Sequence, residues 1–206
     1  MGILTRTGYL TSDRLQEIKK DLTVRPLCNN EYGFPPPPFK VFKPAKNGVC
    51  IPRFYGIDKM GAPGEDRRPE PAGASIVFRG KLRNETHQVE SCNRAVERGS
   101  GIISLPCGYG KTTVSLAIAS KLGYRTMIIV HKQFLADQWR ERIHQFCPGS
   151  KVGIVQQDKL QVEGYDFVIA MLQSLTQREY SFKDFESIGT LIVDEAHHIC
   201  ARTFSQ

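Results

Sequence analysis

Apolar positions change their period along this chain. From about Arg83 onward, runs of consecutive apolar residues alternate with segments whose apolar residues recur every three or four positions. The runs are "GIISL" (101–105), "RTMIIV" (125–130), "KVGIV" (151–155), "DFVIAM" (166–171) and "TLIVD" (190–194). Each reads as a buried strand. Between them, Val89, Cys92, Ala95 and Val96 share one helical face in "NETHQVESCNRAVERG". Val114, Ala117, Ile118 and Leu122 share one in "KTTVSLAIASKL", where Gly123 is the stop. Leu135, Trp139, Ile143 and Phe146 align in "KQFLADQWRERIHQF", and "LQSLTQ" is a shorter helix. Strands alternating with helices predict an α/β fold: a parallel sheet with helices on both faces.

The first third has another texture. Ten of the 12 prolines lie between Pro26 and Pro71, which excludes long helices there because proline removes a backbone donor. A short helix is predicted from about Asp13 to Asp21, with Asp13 and Gln16 at capping-box spacing and Leu15 and Ile18 as its apolar face. Pro35–Pro38 forms a stiff polyproline stretch. "FKVFKPAKNGVCIPRF" predicts two strands around a turn at Asn47-Gly48. Residues 58–73 are polar and breaker-rich and read as a linker, and "ASIVF" (74–78) as one further strand. The pattern divides the chain into a basic, proline-rich, β-rich accessory segment, 1–75, and an α/β domain, 76–206.

Charge sharpens that division. Residues 1–83 hold 15 Lys/Arg against 8 Asp/Glu, and residues 84–206 hold 13 against 13, so the whole excess of +7 sits in the first segment. A basic segment interleaved with Phe39, Phe42, Phe54 and Tyr55 suits either a grip on nucleic acid or a solvated surface. The six cysteines contain no C-x-x-C pair, which argues against a disulfide framework or zinc site and for buried thiols in a reducing compartment. No apolar run approaches the roughly 18 residues of a membrane span. Met1-Gly2 lacks the Ser or Thr that myristoylation needs at position 6, where Arg6 stands. An intracellular protein without membrane partners is expected, in nucleus or cytoplasm, or in host cytoplasm or virion if the source is viral.

Two charged motifs fall at the carboxyl ends of predicted strands, where open α/β sheets bind ligands. The first is "LPCGYGKTT" (105–113), close to a phosphate-binding loop but with Leu105 in place of the first glycine. Gly108, Tyr109 and Gly110 would line an anion cradle at a helix N-terminus. Lys111 would reach the β- and γ-phosphates, the Thr112 hydroxyl would hold Mg²⁺, and Thr113 completes the loop. Tyr109 would shield the nucleotide or pack nearby. The second is "LIVDEAHH" (191–198), 83 residues beyond Lys111 when measured to Asp194. Asp194 is placed to hold Mg²⁺ and Glu195 to polarise the attacking water. His197 reads as a residue sensing the phosphate end rather than a metal ligand, because no zinc-spaced partners surround it. Trp139 lies on the apolar stripe of its helix and reads as core.

"LPCGYGKT", "MIIVHKQFLADQW", "DFVIAMLQSL" and "LIVDEAHH" together resemble motifs I, Ia, Ib and II of superfamily 2 helicases with a DEAH box. In that superfamily a missing first glycine is ordinary. The wording is most similar to the branch of the TFIIH DNA translocase and the helicases of phages and large DNA viruses, the poxvirus transcript-release group among them. The resemblance covers about residues 76–206. It implies a RecA-like first lobe that binds ATP and Mg²⁺ and couples hydrolysis to movement on nucleic acid, DNA more than RNA. It implies an adenine-reading role for Gln88, 23 residues before Lys111, although "KLRNETHQ" is longer than the family's usual spacing. It implies backbone contacts with nucleic acid from His131, Lys132, Gln173, Ser174 and Thr176.

The resemblance also implies missing parts. A second RecA-like lobe, the S-A-T motif and the final strands of the first lobe do not follow Asp194 in these 206 residues, so the expectation is the N-terminal portion of a larger helicase with little activity alone. Transcription or repair machinery is the expected setting. Two other classes stay open on the residues: a P-loop kinase or simple ATPase, and a nucleic-acid- or partner-binding fragment whose ATP site does not cycle.

Overall fold

The computed structural model describes residues 2–6, 10–25, 37–46, 48–65 and 70–196. The chain divides into two compact units, the first reaching Arg68 and the second beginning at Pro69. Ala72 N–H donates to Ser187 O and Ala74 N–H to Gly123 O, so these residues already belong to the second unit. The change therefore falls a few residues before the 75/76 division that composition suggests.

In the first unit the order is β1 (Gly2–Arg6), α1 (Ser12–Asp21), β2 (Thr23–Val24), β3 (Phe39–Lys40), β4 (Lys43–Ala45), β5 (Gly48–Pro52) and α2 (Arg53–Met60). β1, β5 and β4 form an antiparallel sheet in that order, and β2 pairs with β3. Alternate residues of β5, Val49 and Ile51, join Ile18, Leu22 and Phe42 in a small core, the period of two that a half-buried strand requires. The cap of α1 is Thr11, whose Oγ1 accepts from Arg14 N–H at 3.3 Å; Asp13, expected as the cap, lies inside the first turn. The strand expected to run through Phe54 stops at Pro52. That proline fixes φ ahead of α2, and Gly61 at φ 82° ends the helix. Of the four aromatics, Phe42 is buried, Tyr55 donates its hydroxyl to Asp21 Oδ2 at 2.9 Å, and Phe54 is exposed beside the Arg53 guanidinium. Asn47, Pro35 and Pro36 lie outside the described residues.

The second unit contains α3 (Gln88–Arg98), α4 (Lys111–Leu122), β6 (Thr126–Val130), α5 (Gln133–Phe146), β7 (Val152–Gln156), β8 (Lys159–Leu160), β9 (Phe167–Met171), α6 (Leu172–Gln177), a 3₁₀ turn (Phe182–Phe185) and β10 (Thr190–Val193). Its sheet has the order β10-β6-β9-β7-β8, parallel except for the short β7–β8 hairpin. β9, buried at every position, is the centre. Its residues alternate faces: Phe167, Ile169 and Met171 pack with Leu116, Ala119, Trp139 and Ile143 of α4 and α5. Val168 and Ala170 pack with Val162, Leu175 and Phe185 on the other side. The sheet is thus covered on both faces, as its continuous apolar strands require.

α4 is buried more completely than its predicted stripe. Leu116 and Ala119 face the sheet while Val114, Ala117 and Ile118 face Cys92 of α3, so the helix is packed between them. Two expected strands do not form. Residues 74–78 instead satisfy their backbone from helices: Phe78 N–H donates to Ser120 Oγ, Ser120 Oγ donates to Ile76 O, and Arg79 N–H donates to Phe146 O. Residues 101–105 join no ladder among the described residues, and Ile102 is 88% exposed. A strand needs a partner as well as an apolar run, and among the described residues neither segment joins the sheet, whose β10 edge stays open.

Candidate nucleotide site

The phosphate loop rests on the start of α4. Gly108 and Gly110 both adopt φ of 78°, the left-handed region where a side chain is strained. Gly110 caps α4, its carbonyl accepting from Val114 N–H at 3.0 Å. Within the loop Tyr109 N–H donates to Pro106 O at 3.3 Å, and the loop leads into the N-terminus of α4, where the macrodipole favours an anion. Lys111 Nζ donates to Leu105 O at 3.1 Å, closing the loop on itself. Thr112 and Thr113 lie in the first turn of α4, both partly buried.

Gln88 braces this loop. Its Nε2 donates to Tyr109 O at 2.8 Å and its Oε1 accepts from Arg83 N–H at 2.9 Å, with the side chain 2% exposed. A Cβ on Gly110 would meet Gln88 Nε2 at 2.6 Å, so the glycine is required by space as well as by φ. The carboxamide is thus buried in the fold and committed to the loop. Beside the brace, a cavity of about 500 Å³ is lined by His87, Glu90, Arg94, Leu105, Pro106 and Tyr109.

The acidic pair follows β10. Asp194 N–H donates to Ile129 O at 3.0 Å, carrying the parallel ladder one residue beyond the strand. The chain then turns sharply: Glu195 adopts φ of 53° and its N–H donates to Asp194 Oδ1 at 3.1 Å. A left-handed conformation in a non-glycine residue costs on the order of 1 kcal/mol or more and concentrates at functional sites. The other carboxylate oxygen, Oδ2, accepts from Trp139 Nε1–H at 2.8 Å. A hydrogen bond to a charged acceptor contributes on the order of 1.5–3 kcal/mol. Trp139 is core, as its stripe predicts, and it is also the partner of Asp194. A buried indole demands an acceptor, but sequence alone does not name which. His197 lies outside the described residues.

Strand ends also gather the residues expected to meet nucleic acid. His131 and Lys132 follow β6, with Lys132 exposed as the N-cap residue of α5 and its Nζ 5.9 Å from the exposed Phe134 ring. Gln173 Nε2 donates to His131 O at 2.7 Å, tying α6 to that turn. Thr176 is exposed and its Oγ1 donates to Gln173 O. Ser174 differs: it is buried, and its Oγ accepts from Gln157 N–H at 3.0 Å, a structural task within the fold. Away from these ends, Arg125 is nearly buried and forks onto both carboxylate oxygens of Glu163, with Ser187 as a further acceptor.

Fold and site together define a phosphate-loop α/β lobe. The chain belongs to the family described as type III restriction enzyme, res subunit, whose model matches residues 81–206. It is 36% identical, over 222 residues, to a putative ATP-dependent RNA helicase of Acanthamoeba polyphaga mimivirus, covering 98% of this chain and 41% of that one. It is 33% identical to a putative helicase of Invertebrate iridescent virus 3, covering 76% of this chain and 51% of the relative. The UvsW helicase of bacteriophage T4 shares its fold, with a TM-score of 0.59 at 16% identity over 94% of this chain and 79% of that one. Relatives and fold make this a superfamily 2 helicase lobe. The chain spans about two fifths to one half of the length of these two viral relatives.

Proposed function

We propose that this chain carries the ATP-binding lobe of an ATP-dependent helicase or translocase, of DEAH-box type and acting on DNA more than RNA. The carrying observation is the glycine loop on the N-terminus of α4 together with an acidic pair at the end of β10, in a chain whose relatives are named helicases. Lys111 would exchange the Leu105 carbonyl for a phosphate oxygen. Gln88 would read an adenine edge, as the resemblance implies, and the cavity beside it has room for a base.

Thr112 and Asp194 would hold Mg²⁺. Their hard oxygens fit that ion. Trp139 and Glu195 each engage one Asp194 oxygen, leaving lone pairs on both for a ligand or its water. When bound, the ion would neutralise charge on the phosphates; Glu195 would orient the attacking water, and His197 would sense the phosphate end. Lys132, His131, Gln173 and Thr176 would touch the nucleic-acid backbone, which positions a strand without reading its sequence. A second lobe would supply an arginine, worth roughly 10³–10⁵ in rate in related phosphoryl transfer. The basic first unit is an accessory grip on duplex. The branch of large-DNA-virus helicases, an intracellular or virion setting, and transcription or repair machinery complete the proposal.

The test is ATPase activity of a chain that includes a second lobe. Stimulation by nucleic acid, abolished in Lys111→Ala and Glu195→Gln, is expected. Turnover indifferent to nucleic acid, or transfer of phosphate to a small-molecule acceptor, refutes the motor.

A further inference from the structure

Asp194 is held by two donors from different parts of the fold. Glu195 N–H belongs to its own turn, but Trp139 Nε1–H comes from α5, 55 residues earlier. Trp139 is 3% exposed and packed in one core cluster with Val130, Ala136, Ile143 and Ile169. Indole is a donor only, with one N–H in a fixed direction. The carboxylate therefore takes its orientation from the core of the lobe. Asp194 itself is half-buried at the rim, and its second carboxylate oxygen accepts from the adjacent Glu195 N–H.

We infer that Trp139 is a positioning residue for the nucleotide's magnesium: it fixes the orientation of the Asp194 carboxylate. This rests on the reading of Asp194 as the magnesium residue. Partners behind a metal-holding carboxylate commonly matter by about 10–100-fold in metal affinity. The same bond links the acidic pair to α5, whose N-cap is Lys132 at the neighbouring strand end.

Two measurements on the full 206-residue chain test this. The first compares the affinity of a fluorescent ADP with Mg²⁺ and with EDTA in the wild type, Trp139→Phe, Asp194→Asn and the double variant. Phe keeps the packing and removes the donor. Trp139→Phe is expected to lose about tenfold or more of the gain that Mg²⁺ confers while binding metal-free nucleotide as before. Asp194→Asn should lose the gain entirely, and the double variant should lose no more. Trp139→Phe keeping the full gain beside a defective Asp194→Asn overturns this inference alone. Asp194→Asn keeping it overturns the magnesium reading and this inference with it. The second measurement needs no substituted tryptophan. Trp139 is the sole tryptophan, so a ¹⁵N-labelled chain gives one indole signal. Asp194→Asn should move that signal upfield, and Mg²⁺ with ADP should move it in the wild type where ADP with EDTA does not. A signal indifferent to both overturns the inference.

Discussion

The side-chain amide of Gln88 donates to the carbonyl oxygen of Tyr109 across 2.8 Å, so the first turn of α3 supports the phosphate loop. That support precedes any contact with a nucleotide. It gives Gln88 a structural task beyond the adenine recognition that its position suggests.

Gln88→Ala is therefore expected to lower stability by about 1–3 kcal/mol, the cost of leaving buried partners unsatisfied, and to weaken guanine nucleotides as well as adenine ones, the adenine ones more. Thermal unfolding and paired nucleotide titrations check this. A loss confined to adenine nucleotides, with stability unchanged, would count against the brace. Gly110→Ala should abolish binding, since its Cβ meets Gln88 Nε2 at 2.6 Å in a left-handed backbone.

Cys107 stands exposed in the phosphate loop, whereas Cys92 and Cys147 are buried. Burial pushes the Cys147 thiol up to about 11 and raises that of Cys92. Thiolate is the reactive form, so iodoacetamide near neutral pH should label Cys107 well before either of the others. Mg²⁺–ATP should protect it, as followed by peptide mass spectrometry. Labelling of Cys147 first, or no protection, contradicts the site.

The hydrogen bond and charge of Arg125 hold the Glu163 carboxyl below its ordinary 4.5. A folded-state value lower than the unfolded one means that this pair stabilises the fold above about pH 4.5 and loses that contribution as the pH falls through the lowered value. Glu163→Gln should melt below the wild type near neutrality, and the gap should close in acid. Because Glu163 is exposed, the gap should be modest and should narrow in salt. A gap that persists at every pH would show that the ion pair does not cause it.

The legible parts of this fold are those whose burial is decided locally. β6, β9 and β10 are continuous apolar runs, and α5 shows its stripe, because each buries what its own sequence offers. The glycines and acidic pair were readable because their chemistry admits few substitutes. What failed was partnership. "GIISL" and "ASIVF" have strand composition but no strand partner, and the second buried face of α4 exists only because α3 lies behind it. The indole of Trp139 announces that it needs an acceptor, but only the fold names Asp194. α2 was hidden by a proline that starts a helix as readily as it interrupts a strand.

α4 is clamped on opposite sides, by the sheet through Leu116 and Ala119 and by α3 through Val114, Ala117 and Ile118. A rod gripped along its length does not tilt when a small ion settles on its tip. An arriving triphosphate therefore meets a stationary anvil, held in place by the body of the lobe.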